Sequence, residues 1–302
     1  MKKISLLLTI LLLAFSQLSL NVQSAHAKSN TDSRSYTNTE ADESENISLN
    51  DNEVDSRPLN NSDNDFDIRD VGHGVIIIGY DDDKPKDVVI PSEINGKPVI
   101  EIGYEAFSDK QLTSVTIPSS VTTIERGAFS NNLLTNIEIP SSVTTIKSYV
   151  FSTNQLMSIE IPSSVTTIGN YAFADNQLTS VEIPSSVTTI GLSAFRSNHL
   201  TSIQIPSSVT AIGSYAFSDN QLTSIDIPSS ATKIGSHAFS NNHLTSIEML
   251  SSVAAIGGHM FSSNPLDFVT IQGVHEFLQR QHLALMIDCA LQLTPIREAA
   301  SF

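Results

Sequence analysis

From Leu178 to Asn198 the chain reads LTSVEIPSSVTTIGLSAFRSN, and the apolar positions expected to point inward are Leu178, Val181, Ile183, Val187, Ile190, Ala194 and Phe195. Near-copies recur along more than half of the sequence. Phenylalanine returns at Phe107, Phe129, Phe151, Phe173, Phe195, Phe217, Phe239 and Phe261, always at intervals of 22 residues. Proline keeps the same step from Pro118 to Pro228, and leucine from Leu112 to Leu266. A fixed period of this length predicts a solenoid, in which each turn is one unit of the stack.

The pattern within a unit predicts its path. Val181 and Ile183, two residues apart, share one face of a short strand, and Pro184 ends it because proline cannot donate the next ladder bond. Val187 and Ile190 turn the chain inward again, and Ala194 and Phe195 insert on the far side. One turn buries too little apolar surface to offset its ordering entropy, so the turns must stack.

Either side of the repeat the pattern changes. Residues 1–27 combine Lys2 and Lys3, an apolar run from Ile4 to Leu13, and the small-x-small Ala25-His26-Ala27. This predicts a secretory signal peptide cut after Ala27, because the run is short for a membrane span. Residues 28–70 hold 12 Asp or Glu against 4 Lys or Arg with few apolar positions, which predicts an acidic disordered linker. Residues 71–103 read as an N-terminal β cap with a first partial repeat: GVIIIGY and DVVIPSEINGKPVIEIG are β-branched runs separated by an acidic turn, with a second turn at Asn95-Gly96. Repeats occupy 104–273. Residues 274–302 share nothing with them and are expected to form a helical cap, unless this tail is not native to the fold.

The unit LTSVEIPSSVTTIGLSAF resembles the BspA-like bacterial leucine-rich repeats, whose phrase is L-T-S-I-x-I-P-x-S-V-T-x-I-G-x-x-A-F. The resemblance covers roughly residues 86–272 in about eight copies. Two departures stand out: asparagine (Asn132, Asn154, Asn176, Asn198, Asn220, Asn242, Asn264) where the class often carries cysteine, and serine, as at Ser120 and Ser142, where leucine-rich repeats usually carry asparagine. The resemblance implies a right-handed arc with a parallel β-sheet on its concave face. It also implies a surface or secreted protein linked with adhesion.

Formal net charge is −16, and removal of Lys2 and Lys3 makes it −18. Such a chain repels nucleic acid and anionic membranes and favours cationic partners. Its one cysteine, Cys289, excludes an intrachain disulfide and lies far from the predicted cleavage point. The sequence points away from an enzyme: HEFLQ (His275 to Gln279) lacks the second histidine of a zincin, and no nucleophile elbow, phosphate loop or dinucleotide fingerprint occurs. His237 and His259 occupy one repeat column and His199 and His243 another; the first carries Tyr149, Tyr171, Ser193 and Tyr215 in earlier turns, and a column that accepts Tyr, Ser or His reads as a half-exposed flank rather than a metal site. The asparagine column reads as a set of hydrogen-bonding groups for the bend.

One column remains. Thr116, Glu138, Glu160, Glu182, Gln204, Asp226 and Glu248 lie between the two inward residues of successive strands, and threonines and serines flank them. Stacked at about 4.8 Å, adjacent carboxylates repel by roughly 0.5–1 kcal/mol in water. Solubility and repeat duplication account for such a column. So does a binding strip, with Glu138, Glu160, Glu182, Gln204, Asp226 and Glu248 as candidate residues. The strip suits a basic protein segment, a cationic polymer or a calcium-bridged glycan, and no resident cofactor is expected. The expectation is therefore a monomeric, non-enzymatic binding module, secreted or held at the cell surface. Its alternatives are a structural spacer or matrix protein and, last, a secreted hydrolase.

Overall fold

The computed structural model describes residues 59–60, 65–250 and 255–272, with side chains over 65–247 and 257–267. The signal peptide, most of the acidic linker and the expected helical cap lie outside the described residues.

Regular structure is present ahead of the change of texture at Val71. Phe66–Asp70 is a strand, antiparallel to Val75–Tyr80, although it belongs to the stretch expected to be disordered. Its alternation explains the difference: Phe66 and Ile68 are buried, and only the intervening polar residues face outward. Val75–Tyr80 pairs in parallel with Lys97–Ile102, which pairs in turn with Thr123–Ile124. Glu93–Ile94 and Lys97–Ile102 form a hairpin through Asn95 and Gly96, both with positive φ.

Over the described residues from Asp87 to Gln272 the chain is a β-solenoid, and its 22-residue turns bond to their neighbours along three strips. The first strip precedes the proline: the Gln177 N–H donates to Leu156 at 3.0 Å and the His199 N–H to Leu178 at 2.9 Å. The second follows it. Thr145–Ile146, Thr167–Ile168, Thr189–Ile190, Ala211–Ile212, Lys233–Ile234 and Ala255–Ile256 form a six-stranded parallel sheet, each rung offset by one turn. The third carries the phenylalanines, where the Phe173 N–H donates forward to Ala194 and the Phe195 N–H to Ala216.

The L-x-x-L-x-L strip is parallel too, through Asp87–Val89 with Ser114–Thr116 and Ser246–Leu250 with Phe268–Gln272, but the continuous six-stranded ladder follows the proline. On the pre-proline strip Glu138, Glu160 and Glu182 make single-residue parallel bridges, as do Gln204 and Asp226. Proline limits how far the ladder can run, since it lacks the N–H that would extend it. Where the repeat has Leu250 in place of proline, the strip widens to a five-residue strand, Ser246–Leu250, paired with Phe268–Gln272.

The core is a stack of identical layers. Phe107 to Phe261 pack ring on ring with centroids 5.2–5.9 Å apart, and Phe66 and Tyr80 close the first layer against Phe107. The buried asparagines bind the layers together. Each amide donates to the phenylalanine carbonyl of the preceding turn, as Asn176 does to Phe151 at 2.9 Å, and each carbonyl accepts from a leucine N–H, as Asn176 does from Leu156 at 3.0 Å. The serine that replaces the usual asparagine has its own partner in three successive turns, where Ser164, Ser186 and Ser208 donate to Val143, Val165 and Val187, each at 2.6 Å, whereas the Ser230 hydroxyl is buried without one.

Candidate binding face

The pre-proline strip presents four outward columns. In the turn that begins at Leu133 they are occupied by Leu133, Thr135, Asn136 and Glu138, while Leu134, Ile137 and Ile139 point into the core. This division fixes the acidic side chains outward: Glu138, Glu160, Glu182, Gln204 and Asp226 are all exposed. The bridges Glu138–Glu160 and Glu160–Glu182 bring three carboxylates into register on adjacent rungs, and Gln204 and Asp226 are bridged next to each other. Glu248 joins the series through its backbone, in register with Thr270, and its side chain lies outside the described residues.

Like several other acids among the described residues, Asp109 and Asp175 for instance, these carboxylates make no ion pair. Among the described residues, ion pairs join Lys84 to Asp65, Lys97 to Asp70, Lys110 to Asp82, Lys147 to Glu125 and Arg196 to Asp219. None of them involves the acidic column. Thr135, Thr179, Thr201 and Thr223 are exposed beside it, with Ser158, Ser180, Ser202 and Ser224. The face is therefore a polar, negatively charged strip on a rigid backbone.

Three exposed apolar side chains interrupt it. Val89 pairs with Thr116 at the head of the acidic column. Leu133 stands in a column otherwise made of glutamine and histidine from Gln111 to His243 (Gln111, Gln155, Gln177, His199, Gln221, His243), and Met157 stands among threonines. Sequence reasoning passed over both, although their departure from the columns was the available signal.

The histidines divide between two other places. His199 and His243 line an open polar groove of about 430 Å³, with Gln221, Asp219, Ser197 and Asn241 around it. Burial pushes the Asp219 carboxyl up, but hydrogen bonds from Asn241, Arg196 and Ser218 outweigh it and leave the group below the ordinary carboxylate range. His237 and His259 belong to a ladder of stacked rings: Tyr149 on Tyr171 at 4.7 Å, Tyr215 on His237 at 4.7 Å, and His237 on His259 at 5.0 Å. Arg126 and Arg196 lie over the rings of Tyr149 and Tyr215, beside the positions where Gly127 and Ser193 interrupt the ladder. Burial, then the neighbouring His259, hold His237 below the usual imidazole pKa.

The ladder residues share a backbone feature that the sequence reading missed. Tyr149, Tyr171, Ser193, Tyr215, His237 and His259 all have φ between 52° and 62°, in the left-handed region. A second left-handed column holds Asp109, Asn131, Thr153, Asp175, Ser197, Asp219, Asn241 and Ser263. Gly127 in the first column and the Asn and Asp content of the second were the legible signs. Among the described residues no three of His, Cys, Asp or Glu are arranged to hold a metal ion.

The profile of the BspA type leucine rich repeat region matches residues 86–200 and 166–284. No curated protein sequence matches the chain. Solved structures similar to it include a leucine-rich repeat protein from Bacteroides ovatus, 24% identical over 70% of each chain with a TM-score of 0.42. A leucine rich cell surface protein from Faecalibacterium prausnitzii is 23% identical, over 72% of this chain and 77% of that one, with a TM-score of 0.45. A leucine rich repeat protein of T. pallidum is 22% identical, over 73% and 93%, with a TM-score of 0.44.

Proposed function

Because the chain belongs to the BspA-type leucine-rich-repeat family, we propose that it is a secreted or cell-surface binding module without enzymatic activity. Its acidic pre-proline face takes a basic protein partner. The observation that carries this reading is the registered, exposed and uncompensated set Glu138, Glu160 and Glu182, continued by Asp226. In water the repulsion within it costs little, and an approaching cationic surface converts it into long-range attraction. Steering of this kind raises association rates and selects for charge more than it adds affinity. Residues 1–27 would deliver the chain outside the cell, and residues 28–58 would give the face reach from its attachment.

The test is a pull-down of basic proteins, extracellular-matrix proteins and polysaccharides, with and without calcium. It runs beside a variant in which Glu138, Glu160 and Glu182 become Gln and Asp226 becomes Asn. A partner captured by the native chain and lost by the folded variant supports the reading. Equal capture by both removes the face from it. Capture of nothing by either favours a spacer, and calcium-dependent capture of a polysaccharide alone would replace the protein partner with a glycan.

A further inference from the structure

The acidic column explains attraction but not selectivity, since any polycation answers to it. Leu133 and Met157 supply a second kind of contact. Leu133 is 42% exposed and Met157 55%. Single exposed apolar residues are ordinary on a protein surface. These two differ in that each replaces a polar residue in an otherwise polar column, and in that they fall on adjacent turns.

Their placement follows from the bonding. The Met157 N–H donates to Thr135, so Met157 sits one rung beyond Thr135, two positions along the strip from Leu133. With rungs about 4.8 Å apart and alternate residues about 6.7 Å apart, the two side chains are about 8 Å from each other. Glu138 and Glu160 continue the same two turns on the far side of the exposed polar residues Asn136 and Ser158. The early turns of the face thus hold an apolar pair along one margin and carboxylates without counter-ions along the other. The later turns, with Gln221 and Thr223, have no such pair.

We infer that the partner of this face is a protein segment of basic amphipathic character, whose apolar side chains cover Leu133 and Met157 while its lysines or arginines meet Glu138, Glu160 and Glu182. This rests on the binding role proposed above and narrows it. The charge of the column sets the sign of the partner, and the apolar margin requires hydrophobic side chains beside the cations. A helix that presents apolar residues three and four apart, with cations next to them, has this form.

The native columns provide variants that leave the fold alone, because Gln and Thr occupy the same positions in neighbouring turns. Leu133→Gln with Met157→Thr removes the apolar margin, and Glu138→Gln with Glu160→Gln and Glu182→Gln removes the charge. The probes are two synthetic peptides of equal length and lysine content, one with leucines at helical spacing and one with serines in their place. Binding to the chain is measured by titration, with circular dichroism as the check on folding. The leucine peptide should bind about tenfold more tightly than the serine peptide, and the apolar variant should abolish that difference. Equal binding of the two peptides, or a difference that survives in the apolar variant, overturns the inference and leaves the acidic face standing. Undiminished binding of both peptides by the charge variant, or no binding by the native chain, overturns the face as well.

Discussion

The side-chain amide of Asn198 donates to the main-chain carbonyl of Phe173, 25 residues earlier, at 2.9 Å. The same amide reaches Phe195 in its own turn at 3.2 Å, and its carbonyl accepts from the Leu178 N–H at 3.0 Å. One buried side chain thus satisfies backbone groups of two successive turns at a bend where no ladder continues.

Asn198→Ala should therefore destabilise the solenoid far more than a surface substitution. It leaves the Leu178 N–H and the Phe173 carbonyl without their side-chain partner in a dry site, a loss of about 3 kcal/mol. Urea unfolding of the native and variant chains measures it. An unchanged midpoint would mean that the asparagine ladder is dispensable.

Gly213 is held by close approach rather than by its dihedral angles. A Cβ there would lie 2.4 Å from the Gly191 carbonyl carbon and from the Leu192 nitrogen, both backbone atoms that cannot rotate away. Gly213→Ala should cost at least about 2 kcal/mol. Lys147→Ala, in the same column two turns before Gly191, should cost less than about 1 kcal/mol, because a side chain is already accommodated there and its ion pair with Glu125 is near the surface. The two melting temperatures test the contrast.

Thr153 is a β-branched residue at φ 54°, where most of its column carries Asn, Asp or Ser. Its left-handed conformation is strained, and Thr153→Asn should stabilise the chain by about 1 kcal/mol. A rise in melting temperature is expected, and a fall would show that the threonine side chain contributes more than its strain costs.

Burial and the adjacent His259 lower the His237 pKa in the folded chain. The unfolded chain then binds more protons near pH 6, so this contribution to stability is complete above the unfolded value of about 6.5 and is lost as pH falls from there towards the folded value. Amide protection factors of the turns from Tyr215 to Phe261, corrected for the pH dependence of intrinsic exchange, should fall between pH 7.5 and pH 5. His237→Tyr, which continues the ring ladder from Tyr215, should remove that dependence. Equal pH dependence in the variant would place the titration elsewhere.

The solenoid was legible because its apolar residues obey one period for eight turns, and one stacked layer per period is the arrangement that buries them all. The asparagine role was legible for a similar reason: a polar residue beside an invariant phenylalanine needs backbone partners. The longer ladder after the proline was not, because Thr189 and Ile190 look like part of a turn until each rung is seen to pair with the next. Nor were the left-handed columns, since Tyr, Ser and His at one position look like a tolerant flank until the backbone requires φ near 55°. For the acidic face, the periodicity of two placed Glu138, Glu160 and Glu182 outward. The lack of counter-ions and the exposure of Leu133 and Met157 depend on which columns are neighbours, and that emerges only once the turns are stacked.

The central claim is that a basic partner covers the acidic face, and carboxyl footprinting reads it directly. Carbodiimide-driven amidation of the chain, alone and with a captured basic partner, is quantified residue by residue by mass spectrometry. Glu138, Glu160, Glu182 and Asp226 should lose labelling in the complex, while Asp109 and Asp175, in the second left-handed column, keep theirs. Unchanged labelling of the four column residues, with protection at Asp109 or Asp175 instead, would contradict the claim.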